Sequence, residues 1–114
     1  MKILYSTPNL NMKESYDLIR NPACEKMADH VGETVAVDQY MVREEERADT
    51  QEIVKIVSIK SGEKFLATNS QVFFREFCAI IEMCASCNDT VHHIEITTGK
   101  SKKGRDFVTC IYID

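Results

Sequence analysis

The sequence predicts a small all-β domain with one α-helix, in which five short strands close into a barrel in the order β-β-β-α-β-β. Three observations support this prediction. Beyond Val31, short segments alternate apolar with polar residues, which is the two-residue period of β-strands. One apolar stripe with helical spacing lies between the third and fourth of these segments. Finally, five antiparallel strands in an open sheet would leave exposed edges, and closing the sheet removes them.

The first 30 residues are predicted to form an arm with short helices that packs on the barrel, and residues 31–114 form the barrel itself. The arm begins with a short strand at Lys2–Ser6. From Met12 to Asp29 the pattern is helical but interrupted. Asn21 followed by Pro22 is typical of a helix start, so we expect two helical turns from Ala23 to Asp29.

Three strands are predicted in the first half of the barrel. The first is Thr34–Val42, which is followed by a charged turn at residues 43–50. The second is Gln51–Lys60, which is rich in Ile and Val. A tight turn at Ser61–Glu63 leads to the third, short strand at Lys64–Thr68.

The second half of the barrel is predicted to be a helix followed by a hairpin. A helix starting at Ser70 places five apolar residues on one stripe, at i, i+4, i+7, i+8 and i+11: Phe73, Phe77, Ile80, Ile81 and Cys84. Strands at Thr90–Thr98 and Arg105–Ile113 flank a loop with glycine at both ends, as in a β-hairpin. A helix between strands three and four is the arrangement of the oligonucleotide/oligosaccharide-binding (OB) fold, a five-stranded barrel.

Length and composition indicate one cytoplasmic domain. The chain has 114 residues, of which 44% are hydrophobic, enough for one compact core. Its apolar runs are too short for a transmembrane helix. The N-terminus has no signal-peptide pattern, so we expect no membrane association. Five cysteines, an odd number, are expected to be reduced thiols, as in cytosolic proteins.

The net charge of −4 argues against a uniformly basic surface, but the charge is unevenly distributed. Residues 31–54 carry a local charge of −5, from two Arg and seven acidic residues. Residues 55–77 and residues 99–114 each carry +2, from four basic and two acidic residues. A groove that binds nucleic acid needs only a local basic stripe, so overall acidity does not exclude it.

Two runs of the chain resemble a known family. They are residues 67–77, ATNSQVFFREF, and residues 94–110, IEITTGKSKKGRDFVTC. Together they resemble the small single-stranded-DNA-binding proteins of bacteriophages and related mobile elements, and Asp17–Pro22 is similar to an N-terminal element of some of them. The resemblance implies an OB fold, sequence-tolerant binding of single-stranded DNA and a role in protecting DNA during replication. It also implies contacts with replication proteins and a possible homo-oligomer.

Single-stranded nucleic acid is bound by cations that follow the phosphates and by rings on which bases stack. The loop between strands four and five offers Lys100, Lys102, Lys103 and Arg105, with no acidic residue among them. The turn between strands two and three is flanked by three further lysines, Lys55, Lys60 and Lys64. Candidate stacking rings are Tyr40, Phe65, Phe107 and Tyr112, although Phe65 and Phe107 fit a barrel core equally well.

Other functions have weaker support in the sequence. Cys84 and Cys87, with His92 and His93 nearby, suggest zinc, but adjacent histidines on a strand point to opposite faces. No nucleophile–base pair or phosphate-binding glycine loop is present, so we expect neither an enzyme nor a cofactor. The main alternative is an OB-like protein-interaction module without nucleic-acid binding, with the acidic segment Glu44–Glu52 as its contact surface.

Overall fold

A computed structural model describes residues 1–114, which form eight strands, two α-helices and one 3-10 turn. In chain order the elements are β1 (Lys2–Ser6), α1 (Met12–Arg20), β2 (Glu25–Lys26), the 3-10 turn (Met27–His30), β3 (Thr34–Ala36), β4 (Gln39–Glu46), β5 (Ile53–Ser61), β6 (Lys64–Thr68), α2 (Gln71–Ser86), β7 (His93–Lys100) and β8 (Asp106–Tyr112). Five strands form a large sheet in the order β1-β4-β5-β6-β2, and three form a small sheet in the order β3-β7-β8. The fold is therefore mixed α/β.

The predicted five-stranded closed OB barrel with one helix is wrong. Neither sheet closes into a barrel, because β6, the strand that would complete the barrel, already has β2 as its second neighbour. The edge of β6 is occupied by β2, which pairs with it in parallel at Glu25–Leu66 and Lys26–Ala67. The predicted first strand is also divided in two. Its beginning, β3, joins the small sheet, and after Val37 and Asp38 the chain continues as β4 in the large sheet.

The N-terminal 30 residues contribute two strands to the large sheet. β1 occupies the predicted range and pairs with β4 at one edge, while β2 lies at the other edge. α1 precedes the predicted helix start, because Asn11 and Glu14 form a reciprocal capping box there. The helix predicted at Ala23–Asp29 is wrong in extent, since only Met27–His30 is helical, as one 3-10 turn.

The core lies between the two sheets and is filled by α2. Phe73, Phe77, Ile80 and Cys84 are buried along one stripe of this helix, as the sequence predicts. They pack against inward-facing residues of both sheets, including Val57, Leu66, Ile94, Ile96 and Cys110. The opposite face of the large sheet is partly covered by α1, which buries Leu18. Neither helix is long and apolar enough to span a membrane.

Candidate nucleic-acid interface

The basic loop lies at the tip of the β7–β8 hairpin, and we call residues 100–105 the hairpin tip. Its backbone is fixed by three hydrogen bonds. The Ser101 N–H donates to the Arg105 carbonyl (2.9 Å), the Gly104 N–H donates to the Ser101 carbonyl (2.9 Å), and the Arg105 N–H donates to Ser101 Oγ (3.2 Å). Gly104 takes a positive φ of 77°, a conformation that favours glycine. The short turn therefore holds its side chains close together.

All four cations of the hairpin tip are exposed, and none forms an ion pair: Lys100, Lys102, Lys103 and Arg105. The only acidic residue directly opposite is Asp106, which pairs with Lys100 across the two strands. Crowding like charges in one short turn is unfavourable unless water, salt or an anion screens them. This arrangement is suited to contacting phosphates.

Phe107 lies directly beside the hairpin tip and rests on Gly99, its partner across the two strands. A Cβ atom at Gly99 would lie 2.5 Å from Phe107 Cζ, so the ring occupies the space that any side chain there would need. The alternating residues Ile94, Ile96 and Cys110 face the core. Phe107 therefore lies on the other face of the small sheet, where Ile111 is 50% exposed. A partly exposed ring on an uncovered sheet face can accept a stacked base.

The hairpin is attached to the start of α2. The Ser70 hydroxyl donates to the Val108 carbonyl (2.6 Å) and also accepts from the Phe73 N–H (3.3 Å) as the helix cap. In the first turn of this helix, the Phe74 ring lies 4.7 Å from Lys55 Nζ. Lys55 is therefore at the same end of the molecule as the base of the hairpin.

A groove of about 490 Å³ begins next to this attachment point, on the face of the large sheet that is opposite to α2. It is lined by seven residues: Lys26, Ala28, Arg43, Ile56, Ala67, Thr68 and Asn69. Asn69 directly precedes Ser70, so the groove and the base of the hairpin are adjacent. The β2 strand and the 3-10 turn form one wall, and Lys26 on this wall is exposed.

Arg43 is the buried cation of this groove, with a side chain only 5% exposed. Its Nε donates to Glu45 Oε1 (3.0 Å) and its Nη1 donates to Ser58 Oγ (2.8 Å). The ion pair neutralises the charge, and the planar guanidinium keeps further N–H groups that these two contacts do not use. Arg43 thus contributes mainly to the structure of the groove floor.

Lys60 and Phe65 lie on the same face as the groove, further along β5 and β6. They are direct cross-strand partners, and Lys60 Nζ is 6.0 Å from the Phe65 ring centroid. Ile56 and Lys60 are four residues apart on one strand and so share a face. The groove and the Lys60–Phe65 pair therefore lie on one face of the large sheet, and Asn69 links the groove to the base of the hairpin.

Three candidate residues lie away from this face. Lys55 and Lys64 project from the other face of the sheet. On β5, Lys55 is five positions from Lys60, and on β6, Lys64 is one position from Phe65, so each lies an odd number of positions from the residue on its own strand. Tyr40 is half-buried on the α2 side, where its ring meets the Phe77 ring edge to face with the two ring centroids 5.5 Å apart. Burial raises the pKa of Tyr40, as expected for a ring in the core.

The groove is not predicted by the sequence, because its members are mostly apolar or small. Its one detectable sign was that both faces of Ile53–Ile59 carry apolar residues, although a half-exposed strand needs only one such face. The cysteine and histidine residues proposed as zinc ligands do not come together. Cys84 is buried in the core, His92 contacts Asp89 (3.6 Å) at the surface, and no group of three or more possible metal ligands forms.

No protein-family model, no curated protein and no solved structure matches this chain. The resemblance to phage single-stranded-DNA-binding proteins therefore rests on the residue runs quoted above alone.

Proposed function

We propose that this protein binds single-stranded DNA with little dependence on base sequence. The observation that carries the proposal is the hairpin tip, where four exposed cations without ion pairs lie beside the Phe107 ring. Cations contact phosphates of any sequence, and every base has a face that can stack on a ring. The combination favours a sequence-tolerant ligand.

Asn69, which lines the groove and directly precedes Ser70 at the base of the hairpin, supports a path for the strand. DNA would run from the hairpin tip along the hairpin to Asn69, enter the groove and continue towards Lys60 and Phe65. The groove carries Lys26 at its wall and apolar Ile56 and Ala67 at its floor, which suits a backbone on one side and a base on the other. Stacking on a ring needs unpaired bases, which a duplex does not offer, so we propose the single-stranded form.

The biological role follows from the resemblance. We propose that the protein coats exposed DNA of a phage or mobile element during replication, and contacts replication proteins there. Such a role places it in the cytoplasm. The five free cysteines are compatible with that reducing compartment.

The test is a titration with fluorescein-labelled oligo(dT), followed by anisotropy at two salt concentrations. The variant K100A/K102A/K103A removes three cations of the hairpin tip and changes the net charge from −4 to −7. The matched control K13A/R47A/R75A produces the same net charge by removing three exposed cations that lie outside the hairpin tip and the groove. If all three lysines contact phosphates, the slope of log K against log salt becomes shallower by about 2 for the tip variant.

Two results would overturn the proposal. One is the absence of binding to oligo(dT) by the wild-type protein at low salt. The other is an equal loss of affinity in the tip variant and the control, which would assign the effect to net charge. A titration with duplex DNA of the same length completes the experiment, and tighter binding to the duplex would contradict the single-strand preference.

A further inference from the structure

The outer edge of the large sheet is formed by β1, which pairs with β4 on one side and with no strand on the other. Alternate residues of such an edge strand direct their N–H and C=O groups outward, where they can pair with another extended chain. Proteins that remain monomeric commonly protect such an edge with proline, a bulge or inward-pointing charges. β1 carries a bulge between Ile3 and Tyr5 and an exposed lysine, Lys2, at its start, but no proline.

The surface next to this edge is unusually apolar. Ile3 is 48% exposed, and on the adjoining helix α1 Met12 is 80% and Tyr16 is 45% exposed. With Ile19 and Met1 they line a cleft of about 350 Å³. Large apolar side chains grouped beside a free strand edge are typical of an interaction site, whereas scattered ones are not.

We propose that this surface is the interface of a homodimer, in which the β1 strands of two copies pair antiparallel about a two-fold axis. The occupant must supply both an unpaired strand edge and an apolar patch beside it, and a second copy of this surface supplies both. The two-fold axis would place the Ile3 side chains of the two copies close together and join the two clefts.

The charges at the cleft also fit a second copy. The cleft contains Arg20, which forms no ion pair, and Glu45, which uses one carboxylate oxygen to bind Arg43. A two-fold interface presents each surface to itself, so both signs are available on each side. A uniformly acidic or basic partner would leave one of the two charges opposed by its own sign.

The interface is expected to be of modest affinity. A standard stable interface uses about 800 Å² per partner, which is about one ninth of the 7302 Å² accessible surface of this chain. One short strand and one helix face make a small interface of the weak, transient class, for which we expect a dissociation constant in the micromolar range, roughly 1–100 µM. The inference is independent of DNA binding, because β1 lies outside the proposed DNA path.

The test is sedimentation velocity of the full chain without DNA at concentrations from about 1 to about 300 µM, spanning that range. We expect the wild type to shift from monomer to dimer, and the variant Ile3→Glu to remain monomeric across the range. The matched control is Ile53→Glu, at a residue that is 59% exposed in β5. It makes the same chemical change elsewhere and should leave the dimer intact.

Hydrogen exchange of the wild type provides a second measurement that does not depend on a variant folding correctly. Amides of β1 should exchange more slowly at the high protein concentration than at the low one, while amides at the hairpin tip should not change. A wild type that stays monomeric at about 300 µM, β1 amides whose exchange does not depend on concentration, or a dimer that survives Ile3→Glu would each overturn the proposal.

Discussion

Replacing Gly99 with alanine tests whether the Phe107 ring takes part in DNA binding. The new Cβ would lie 2.5 Å from Phe107 Cζ and 2.6 Å from Cε2, whereas carbon atoms pack at about 3.5–4.0 Å. The ring must therefore retreat by about 1 Å or rotate away. Since Phe107 is only partly buried, this movement should cost little folding stability, roughly 1 kcal/mol or less.

The effect on binding should be larger than the effect on stability. Stacking on an aromatic ring contributes about 1–3 kcal/mol per base, which corresponds to roughly a 5- to 150-fold loss of affinity when the stack is lost. We expect Gly99→Ala and Phe107→Ala each to weaken binding of oligo(dT) within this range. The measurement is fluorescence anisotropy at constant salt, with thermal unfolding by circular dichroism as the stability control.

A double-mutant cycle tests whether Gly99 affects DNA binding only through the position of the Phe107 ring. If Gly99 acts only by allowing the position of the ring, the G99A change should have no further effect once Phe107 is already alanine. Additive losses in the double variant would refute the reasoning, because they would show that Gly99 and Phe107 act independently. Wild-type affinity of both single variants would refute it as well, by removing the ring from the interface.

Three further predictions concern stability. Burial of the His30 ring lowers its pKa, but hydrogen bonds to Glu33 (2.8 Å) and Glu25 (3.1 Å) outweigh burial, and the pKa is raised. The ionised pair therefore stabilises the fold fully below the unfolded pKa of about 6.5, and this contribution is lost as pH rises through the folded value. The free energy of unfolding measured with urea should therefore decrease as the pH rises above about 6.5, and His30→Gln should lack this decrease; equal pH profiles would contradict it. Ser70→Ala removes the helix cap and the bond to β8, and should cost about 1–2 kcal/mol in the same assay, with Ser86→Ala at the other end of α2 as the control. Phe73→Ala should cost about 3–5 kcal/mol, and a loss below 1 kcal/mol would show that this ring, 0% exposed, is not a core residue.

Local sequence patterns were sufficient for most individual elements. The strand Lys64–Thr68 is found with the predicted bounds, because a tight turn and a helix cap delimit it within the sequence itself. The helix at Ser70 and the hairpin after it are also present, each shifted by a few residues at its ends. These elements depend on contacts between residues close together in the chain.

The arrangement of the strands could not be predicted in the same way. The sequence predicts a charged turn from Arg43 onward, yet β4 continues to Glu46. It does so because β1 pairs alongside, placing Lys2 opposite Glu44, and because Ser58 and Glu45 satisfy the buried Arg43. Likewise, the two-residue strand β2 has no recognisable pattern of its own, although its pairing with β6 decides that no barrel closes.

The groove could not be predicted from the sequence either. Its residues come from four separate parts of the sequence, and single apolar residues such as Ile56 and Ala67 are indistinguishable from core positions by pattern alone. The cations of the hairpin tip could be identified because they lie within six residues of the chain. The sequence therefore predicts the electrostatic part of the candidate site better than its shape.

The division of one strand between the two sheets has a consequence for synthesis of the protein. β3 completes the small sheet by pairing with β7, where Thr34 lies opposite Glu95, 61 positions later in the chain. During translation, β3 and the adjoining β4 therefore leave the ribosome long before β7 and β8 are available. The large sheet can assemble first, but β3 remains without a partner until the last residues emerge. A stalled or truncated chain would thus expose an unpaired β-segment next to apolar core residues, which makes incomplete products prone to aggregation and degradation.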